Sequence, residues 1–335
     1  MDPHASHEAV DDVVRRIESF DCSAHVSDGS SQTVIGVIGD TRTVAQAAAW
    51  GRLEGVEKVI RVMEPYKLVS RQFKPESTVV EVRNTAIGDG SFTPIAGPCA
   101  VETRDQLFRT AEAVVHAGAT VLRGDAFKPR TSPYSFQGLG EEGLQYLAEA
   151  REEFDVPFVA EVLDPRDVGL VASYADILRV GTRNMANYTL LQEIGTCGKP
   201  VQLKRGFTAT LEEWLQAAEY IYKSGNSEII MVERGIRTFE TASRNTLDIT
   251  VVPLLKQISH LPVIVDPSHS GGKRELVAPL AKAAIAAGAD GFMIDVHVEP
   301  ETAKVDGDQA LLPEEFSELM GQITRLGEAL DVPVA

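Results

Sequence analysis

The sequence predicts an α/β protein in which a closed (β/α)8 barrel follows a small α+β domain. Three observations predict it. From Phe92 onward, short apolar runs alternate with amphipathic helical stretches, the pattern of βα units around a parallel sheet. Eight such units occupy roughly 240 residues, the span of a closed eight-stranded barrel, whereas an open doubly wound sheet more often uses fewer strands. The first stretch of about sixty residues reads instead as helix, strand, strand, helix, strand, an order that makes an α+β unit of its own.

In that first unit Val10, Val13, Val14 and Ile17 recur at helical spacing and turn one face of a helix toward a core. Ser23 to Ser27 and Thr33 to Ile38 read as strands on either side of the turn-forming Asp28-Gly29-Ser30. Ala-rich Val44 to Trp50 reads as a second helix and Val56 to Met63 as a third strand. From Glu64 to Pro75 the chain is polar with prolines at both ends, which places the boundary near residue 70: 1–70 form the small domain and 71–335 the barrel. A short hairpin is expected at Thr78 to Ile87. The barrel strands are expected at Pro94 to Gly97, Thr120 to Leu122, Phe158 to Ala160, Asp176 to Val180, Val201 to Leu203, Glu228 to Val232, Pro262 to Val265 and Phe292 to Ile294. Thr103 with Gln106 reads as a capping box, Pro253 and Pro279 as first-turn prolines, and Gly118 and Gly288 as helix stops.

The 335 residues carry 32 Lys and Arg against 49 Asp and Glu, a formal charge of −17 that argues against a nucleic-acid or anionic-membrane surface. No apolar run has membrane-spanning length and the N-terminus lacks the layout of a secretory signal, so the expected location is cytoplasmic. Cys22, Cys99 and Cys197 are too few and too scattered for a disulfide framework. Cys22 and Cys197 are read as structural. His116 and His260 fall at helix ends, where a surface role is expected.

A barrel of this kind carries its chemistry where the strands end at their C-terminal side. There the sequence places Cys99, Arg123, Glu161, Arg183, Lys204 and Arg205, Glu233 and Arg234, Asp266 and His269, and finally Asp295 and His297. A single polar strand end is more often merely solvated than functional. Convergence changes that balance. Arg123, Lys128, Arg130, Arg183, Lys204 and Arg234 gather cations on one rim of an acidic chain, a local reversal suited to phosphates and carboxylates. Gly181 and the Ser270-Gly271-Gly272 turn would let backbone N–H groups approach such an anion. No Walker loop or dinucleotide fingerprint is present, so nucleotide cofactors are not indicated. Cys99, His269, Asp295 and Asp306 mix thiolate, imidazole and carboxylate donors, and the first, seventh and eighth strands are neighbours once a barrel closes. For Cys99 a ligand and a small buried residue are equally good readings at this point.

Taken together, Gly97-Pro98-Cys99, Lys128-Pro129-Arg130-Thr131-Ser132-Pro133, Leu203-Lys204-Arg205-Gly206, Glu233-Arg234-Gly235-Ile236-Arg237-Thr238 and Asp266-Pro267-Ser268-His269 resemble the type I-beta 3-deoxy-D-arabino-heptulosonate 7-phosphate (DAHP) synthases. Thr33 to Asp40 and Pro65 to Pro75 resemble the ferredoxin-like regulatory domain of that group. The resemblance implies a TIM barrel that condenses phosphoenolpyruvate (PEP) with erythrose 4-phosphate and water to DAHP and phosphate, the first step of the shikimate pathway to aromatic amino acids. It implies a divalent metal such as Mn, Co, Zn or Fe held by Cys99, His269, Asp295 and Asp306. Arg123, Gly181, Arg183, Lys204 and Arg234 would bind PEP, and Arg130 and Thr131 the aldose phosphate. Lys128 would donate a proton toward the aldehyde oxygen and Glu161 would orient the water. A homotetramer, feedback by an aromatic amino acid and a chorismate mutase partner are further implications.

Two positions depart from the family pattern. Asp295 stands where the family usually has Glu, and Asp125 stands where it usually has Gly, which puts an acid beside the phosphate rim, either to weaken anion binding locally or to pair with a neighbouring cation. Three alternatives are weighed against the main reading. One is 3-deoxy-D-manno-octulosonate 8-phosphate synthase, which resembles a Lys-Ala-Asn-Arg pattern in place of Lys128 to Thr131. The others are a secondary-metabolism paralogue taking another sugar phosphate and a silent barrel acting as a regulatory partner.

Overall fold

The computed structural model describes residues 1–3, 5–28, 33–39, 50–59 and 65–335. The chain divides into two compact units, one of Met1–Glu76 with Ile258–His260, the other of Ser77–Gln257 with Leu261–Ala335.

In the first unit, helix α1 (His7–Glu18) starts at Ser6, whose side chain accepts from the Ala9 amide, and it buries Ala9, Val13 and Ile17. Strands β1 (Ser23–Asp28) and β2 (Thr33–Ile38) pair antiparallel, from Ser23 opposite Ile38 to Asp28 opposite Thr33. Val13, Ile17 and Cys22 form the centre of a small core with Ile35, Val37 and Trp50 packed around it. The turn at 29–32, most of the helix expected over 44–50 and the end of the strand expected over 56–63 lie outside the described residues. Trp50–Arg52 forms a 3-10 turn, and 56–59 carry no strand. His260 is not a surface residue, as its place at a helix end suggests. Its ring is 1 % exposed and Nε2 donates to the Leu68 carbonyl at 2.8 Å, beside Ser259, whose hydroxyl donates to Val69 O.

The second unit is a closed parallel barrel of eight strands. They are β5 (Thr93–Gly97), β6 (Val121–Arg123), β7 (Phe158–Val162), β8 (Ile177–Val180), β9 (Val201–Lys204), β10 (Ile229–Glu233), β11 (Val263–Val265) and β12 (Gly291–Asp295). The last strand returns to the first, with Asp295 opposite Gly97. Every residue of these strands is buried, as a parallel sheet covered on both faces requires. The hairpin β3 (Val80–Val82) and β4 (Thr85–Ile87) inserts Val80, Val82 and Ile87 among Ile95, Val121, Val159, Ile177 and Ile264. The Thr93 hydroxyl, at the start of β5, donates to Ala86 O, so the hairpin plugs the N-terminal mouth. Only the opposite mouth is left for chemistry.

The helices are α2 (Arg104–His116), α3 (Glu141–Phe154), α4 (Val168–Tyr174), α5 (Tyr188–Ile194), α6 (Leu211–Lys223), α7 (Val251–Ile258), α8 (Pro267–Gly271), α9 (Arg274–Ala286) and α10 (Pro313–Leu330). Thr103 caps α2 by accepting from the Gln106 amide, but the Gln106 side chain reaches the Glu102 amide instead of closing the box. The reciprocal box forms on α6, between Thr210 and Glu213. Pro279 lies well inside α9, which corrects its assignment to a first turn.

Candidate active site

The C-terminal mouth holds a cavity of about 280 Å3. Six cations line it, Lys128, Arg130, Arg183, Lys204, Arg234 and Arg244, against two acids, Glu161 and Asp306. A chain of charge −17 thus concentrates positive charge at one place.

Local backbone demands explain several of these placements. Gly97 has φ of +151°, and a Cβ there would stand 2.1 Å from the Arg123 carbonyl, so only glycine lets β5 approach β6 just before Cys99. A Cβ on Gly181 would meet Glu161 Oε1 at 2.0 Å, so glycine keeps that carboxylate against the cavity wall. Asp306 has φ of +54°, a left-handed conformation uncommon outside glycine, and it turns the carboxylate toward Cys99 and His269.

Cys99 Sγ lies 3.8 Å from His269 Nε2 and 3.3 Å from Asp306 Oδ2, and the latter two atoms are 3.5 Å apart. These three donors all lie within 4.8 Å of one another. His269 Nδ1 is 3.0 Å from Asp266 Oδ2, which leaves Nε2 directed at the trio, the usual arrangement of a carboxylate behind a ligating imidazole. Burial pushes the Cys99 thiol up, yet Lys128 and Arg123 outweigh burial and Asp306 and lower it, favouring the thiolate that binds metals. Burial likewise raises the Asp306 carboxyl, and His269 and Arg244 more than reverse it. A soft thiolate, an imidazole and a hard carboxylate on one point suit a borderline divalent ion.

Asp295 stands behind this trio. It forms an ion pair with Arg123, accepts from Gln309 Nε2 at 2.6 Å and comes no closer than 3.6 Å to His269 Nδ1. Gln309 in turn accepts from Arg244, which also pairs with Asp306 at 3.2 Å. Arg123 does not line the cavity. Its side chain is fully buried, pairing with Asp125 at 3.0 Å as well as with Asp295, and donating to the Cys99 carbonyl.

Asp125 does not repel the rim. It is fully buried with one oxygen on Arg179 and the Glu161 amide and the other on Arg123 and Lys128. Burial pushes its carboxyl up, but Arg179, Lys128 and Arg123 together hold it far below the usual carboxylate range. Lys128 Nζ is thereby fixed 2.7 Å from Asp125, 3.0 Å from Cys99 O and 3.2 Å from Cys99 Sγ. Burial works against the Lys128 ammonium, yet Asp125 and Cys99 raise its pKa, so it carries its proton at neutral pH.

On the other wall, Lys204 Nζ sits 2.6 Å from Asp266, and burial pulls it down to about 8. Burial lowers Arg234 to about 10, which leaves it charged as it donates to His269 O at 2.9 Å. Arg130 lines the cavity, and its Nη1 is buried with no hydrogen-bond partner among the described residues. Thr131 Oγ1 lies 3.5 Å from Arg183.

Sequence reasoning missed Arg244, Phe207, Arg179 and Gln309. None ends an apolar run: Arg244 reaches the mouth because Ile236 and Thr246 exchange backbone hydrogen bonds and fold its loop back. Arg179 lies inside β8. Asp266 was visible as a strand end but carried no assigned role. His297 faces Glu102, 3.9 Å away, and takes no part in the Asp295 cluster.

Comparison with known proteins identifies the family of the chain. The DAHP synthetase I family matches residues 70–330, and the DAHP synthase ferredoxin-like domain matches residues 1–64. The chain is 53% identical over 334 residues to phospho-2-dehydro-3-deoxyheptonate aldolase of Thermotoga maritima, covering 100% of this chain and 98% of that protein. It is 33% identical to a 2-dehydro-3-deoxyphosphooctonate aldolase of Syntrophobacter fumaroxidans, over 72% of this chain and 90% of that one. The crystal structure of the Thermotoga maritima DAHP synthase superposes with a TM-score of 0.81 at 52% identity, covering 99% of this chain and 97% of its own. A truncated form of that enzyme covers 81% of this chain and 99% of its own, with a TM-score of 0.77. The chain therefore belongs to the DAHP synthetase I family and carries, ahead of its barrel, the ferredoxin-like domain of DAHP synthases.

Proposed function

We propose that the barrel mouth condenses PEP with erythrose 4-phosphate and water to give DAHP and inorganic phosphate. The observation that carries this reading is the meeting of six cavity cations with the Cys99, His269 and Asp306 trio. Two phosphorylated substrates need charge at two ends of one cavity, and the carbonyl between them needs an electrophilic partner.

In this reading Lys204, Arg183 and Arg234, with the Gly181 turn, hold the phosphate and carboxylate of PEP, while Arg130 and Thr131 hold the aldose phosphate. A divalent metal would be held by Cys99, His269 and Asp306, and when bound it supplies Lewis-acid polarisation of the aldehyde oxygen. C3 of PEP attacks the aldehyde carbon, and the charged Lys128 ammonium gives its proton to the aldehyde oxygen as that bond forms. Water adds to C2, oriented by Glu161 at the cavity wall and returning a proton to the Lys128 amine, and the tetrahedral phosphohemiketal then expels phosphate, its hydroxyl proton leaving with that group. Arg123 and Asp295 act from beneath the cavity: Arg123 holds the Cys99 carbonyl, and Asp295 supports the trio through Gln309 and His269.

Residues 1–70 serve as the regulatory domain and 71–335 as the catalytic barrel. An aromatic amino acid is the effector, and the working form is a homotetramer, which light scattering checks directly. No helix among the described residues is long and apolar enough to cross a membrane. The test of activity is loss of PEP absorbance with erythrose 4-phosphate or arabinose 5-phosphate, each with added divalent metal and with chelator. Turnover of erythrose 4-phosphate alone, abolished by chelator, is expected; preference for arabinose 5-phosphate, or no turnover of either, overturns the reading. Deleting residues 1–70 is expected to keep turnover and abolish inhibition by tyrosine or phenylalanine. Inhibition that survives the deletion places the effector site in the barrel.

A further inference from the structure

We infer that Phe207 is a positioning residue that assembles the PEP anion cradle by holding three arginines against one aromatic ring, and that Arg237 belongs to that cradle as its outer brace. This deepens the proposed function and rests on its assignment of Arg183 and Arg234 to PEP.

Phe207 follows β9 in the loop after Lys204, half-buried, and its ring lines the cavity. The guanidinium carbons of Arg237, Arg234 and Arg183 lie 4.3, 5.0 and 5.5 Å from the centre of that ring. The three come from different places in the chain: Arg183 from the turn after β8, Arg234 from the end of β10 and Arg237 from the loop beyond it. Among the described residues none of them forms an ion pair with a carboxylate; Arg234 Nη2 and Nη1 each donate to one carbonyl, of His269 and Gly235, and its Nε has no hydrogen-bond partner. Three like charges this close repel one another; Asp266 and Glu233 attract Arg234 without pairing with it, and each of the three cations is also drawn to the electron-rich ring face.

The absence of an acidic partner has a purpose in such a site. A carboxylate placed among these arginines would neutralise them and compete with the substrate's phosphate. An aromatic face collects cations without consuming their charge or their hydrogen-bond donors. The loop itself is latched from outside: the Arg237 amide donates to the Phe207 carbonyl at 2.6 Å, so the residue that braces the cradle also fixes the backbone carrying the ring. The ligand class is a dianionic phosphate or phosphate-carboxylate, the chemistry of PEP.

The experiment compares wild type, Phe207→Leu, Phe207→Tyr and Arg237→Met in full-length, metal-loaded protein. PEP binding is measured by calorimetry and KM and kcat by PEP absorbance. Phe207→Leu keeps apolar bulk but removes the ring face, and is expected to weaken PEP binding and raise its KM about tenfold, with kcat within about twofold. Phe207→Tyr retains the face and is expected to restore affinity to within about threefold of wild type. Arg237→Met is expected to raise the KM for PEP and leave that for erythrose 4-phosphate unchanged. Wild-type affinity in Phe207→Leu overturns the inference, as does a fall in kcat and melting temperature without a change in PEP affinity, the mark of a packing role. A wild-type protein that does not bind PEP at all overturns the proposed function and this inference with it.

Discussion

Replacing Asp125 by Asn tests the charge arrangement beneath the active site. The carboxylate is fully buried and shared by Arg179, Arg123 and Lys128. Asn has nearly the same shape, so packing is little changed. Its amide, however, presents two N–H donors where Asp125 offers acceptors on every side, and either orientation points an N–H at a cation. Removing one member of a buried ion pair costs about 3–5 kcal/mol, because the partner charge is left uncompensated. Three partners are stranded here, although Arg123 retains Asp295 and Arg179 lies 3.6 Å from Glu161, so the lower part of that range is the better expectation. For a barrel of this size each kcal/mol shifts the melting temperature by about 2–4 °C, giving a fall on the order of 10 °C. Asp125→Gly, the residue the family resemblance favours, should fall at least as far, because it also adds backbone freedom to the unfolded chain. Adding Arg179→Met removes one stranded charge and should recover at least about 1 kcal/mol, a coupling measurable in a double-mutant cycle by thermal and urea unfolding. A melting temperature within about 2 °C of wild type for Asp125→Asn, or no recovery in the double variant, would refute the reasoning.

Three further outcomes follow from the same geometry. Burial pulls Lys204 down to about 8, so it is mostly charged below that pH and mostly neutral above it; KM for PEP should be flat to about pH 7, about double by pH 8 and rise toward about tenfold per unit above about pH 9, and a flat profile to about pH 9.5 removes Lys204 from the anion site. Asp266→Asn leaves the trio intact but removes the carboxylate behind His269, and should lower metal affinity about 10–100-fold, whereas Cys99→Ala should cost more and abolish the thiolate-to-metal absorption of a cobalt-loaded sample; unchanged cobalt spectra in Cys99→Ala would remove Cys99 as a ligand. Burial holds His260 down to about 4, below its unfolded value of 6.5. Between those values the unfolded chain takes up the proton and the folded one does not, so stability is lost as pH falls, by about 2 kcal/mol at pH 5; a His260→Asn variant losing as much over the same interval shows that another group is responsible.

Most of the barrel was legible because a parallel strand buried on both faces leaves a short, nearly unbroken apolar run. The strand expected at Val201 to Leu203 is Val201–Lys204, and that expected at Phe292 to Ile294 is Gly291–Asp295. The discrepancies are Lys204, Gly291 and Asp295, charged or glycine end residues that an apolar pattern cannot register. The mouth was legible for a related reason: a charged residue ending an apolar run must leave the sheet at its C-terminal side. That logic reached Cys99, Lys204, Arg234 and His269, and also Glu161, which it took as ending a run although the strand continues to Val162. It did not reach Arg179, which lies within a strand, or Arg244 and Phe207, which lie on loops.

Sequence by itself determined the barrel, its working end and the cations and candidate ligands gathered there, because each follows from the order of apolar and polar residues along single strands. Tertiary structure alone decided how those charges are shared. Of the two roles open to Asp125 in the sequence, the fold selects pairing, as the common counter-ion of Arg123, Lys128 and Arg179; Asp295 turns to Arg123 and Gln309 behind the trio; and three arginines distant in sequence meet over Phe207. Electrostatic energy depends on distances of a few ångströms and on burial, and both are properties of the closed barrel that no linear pattern of residues contains.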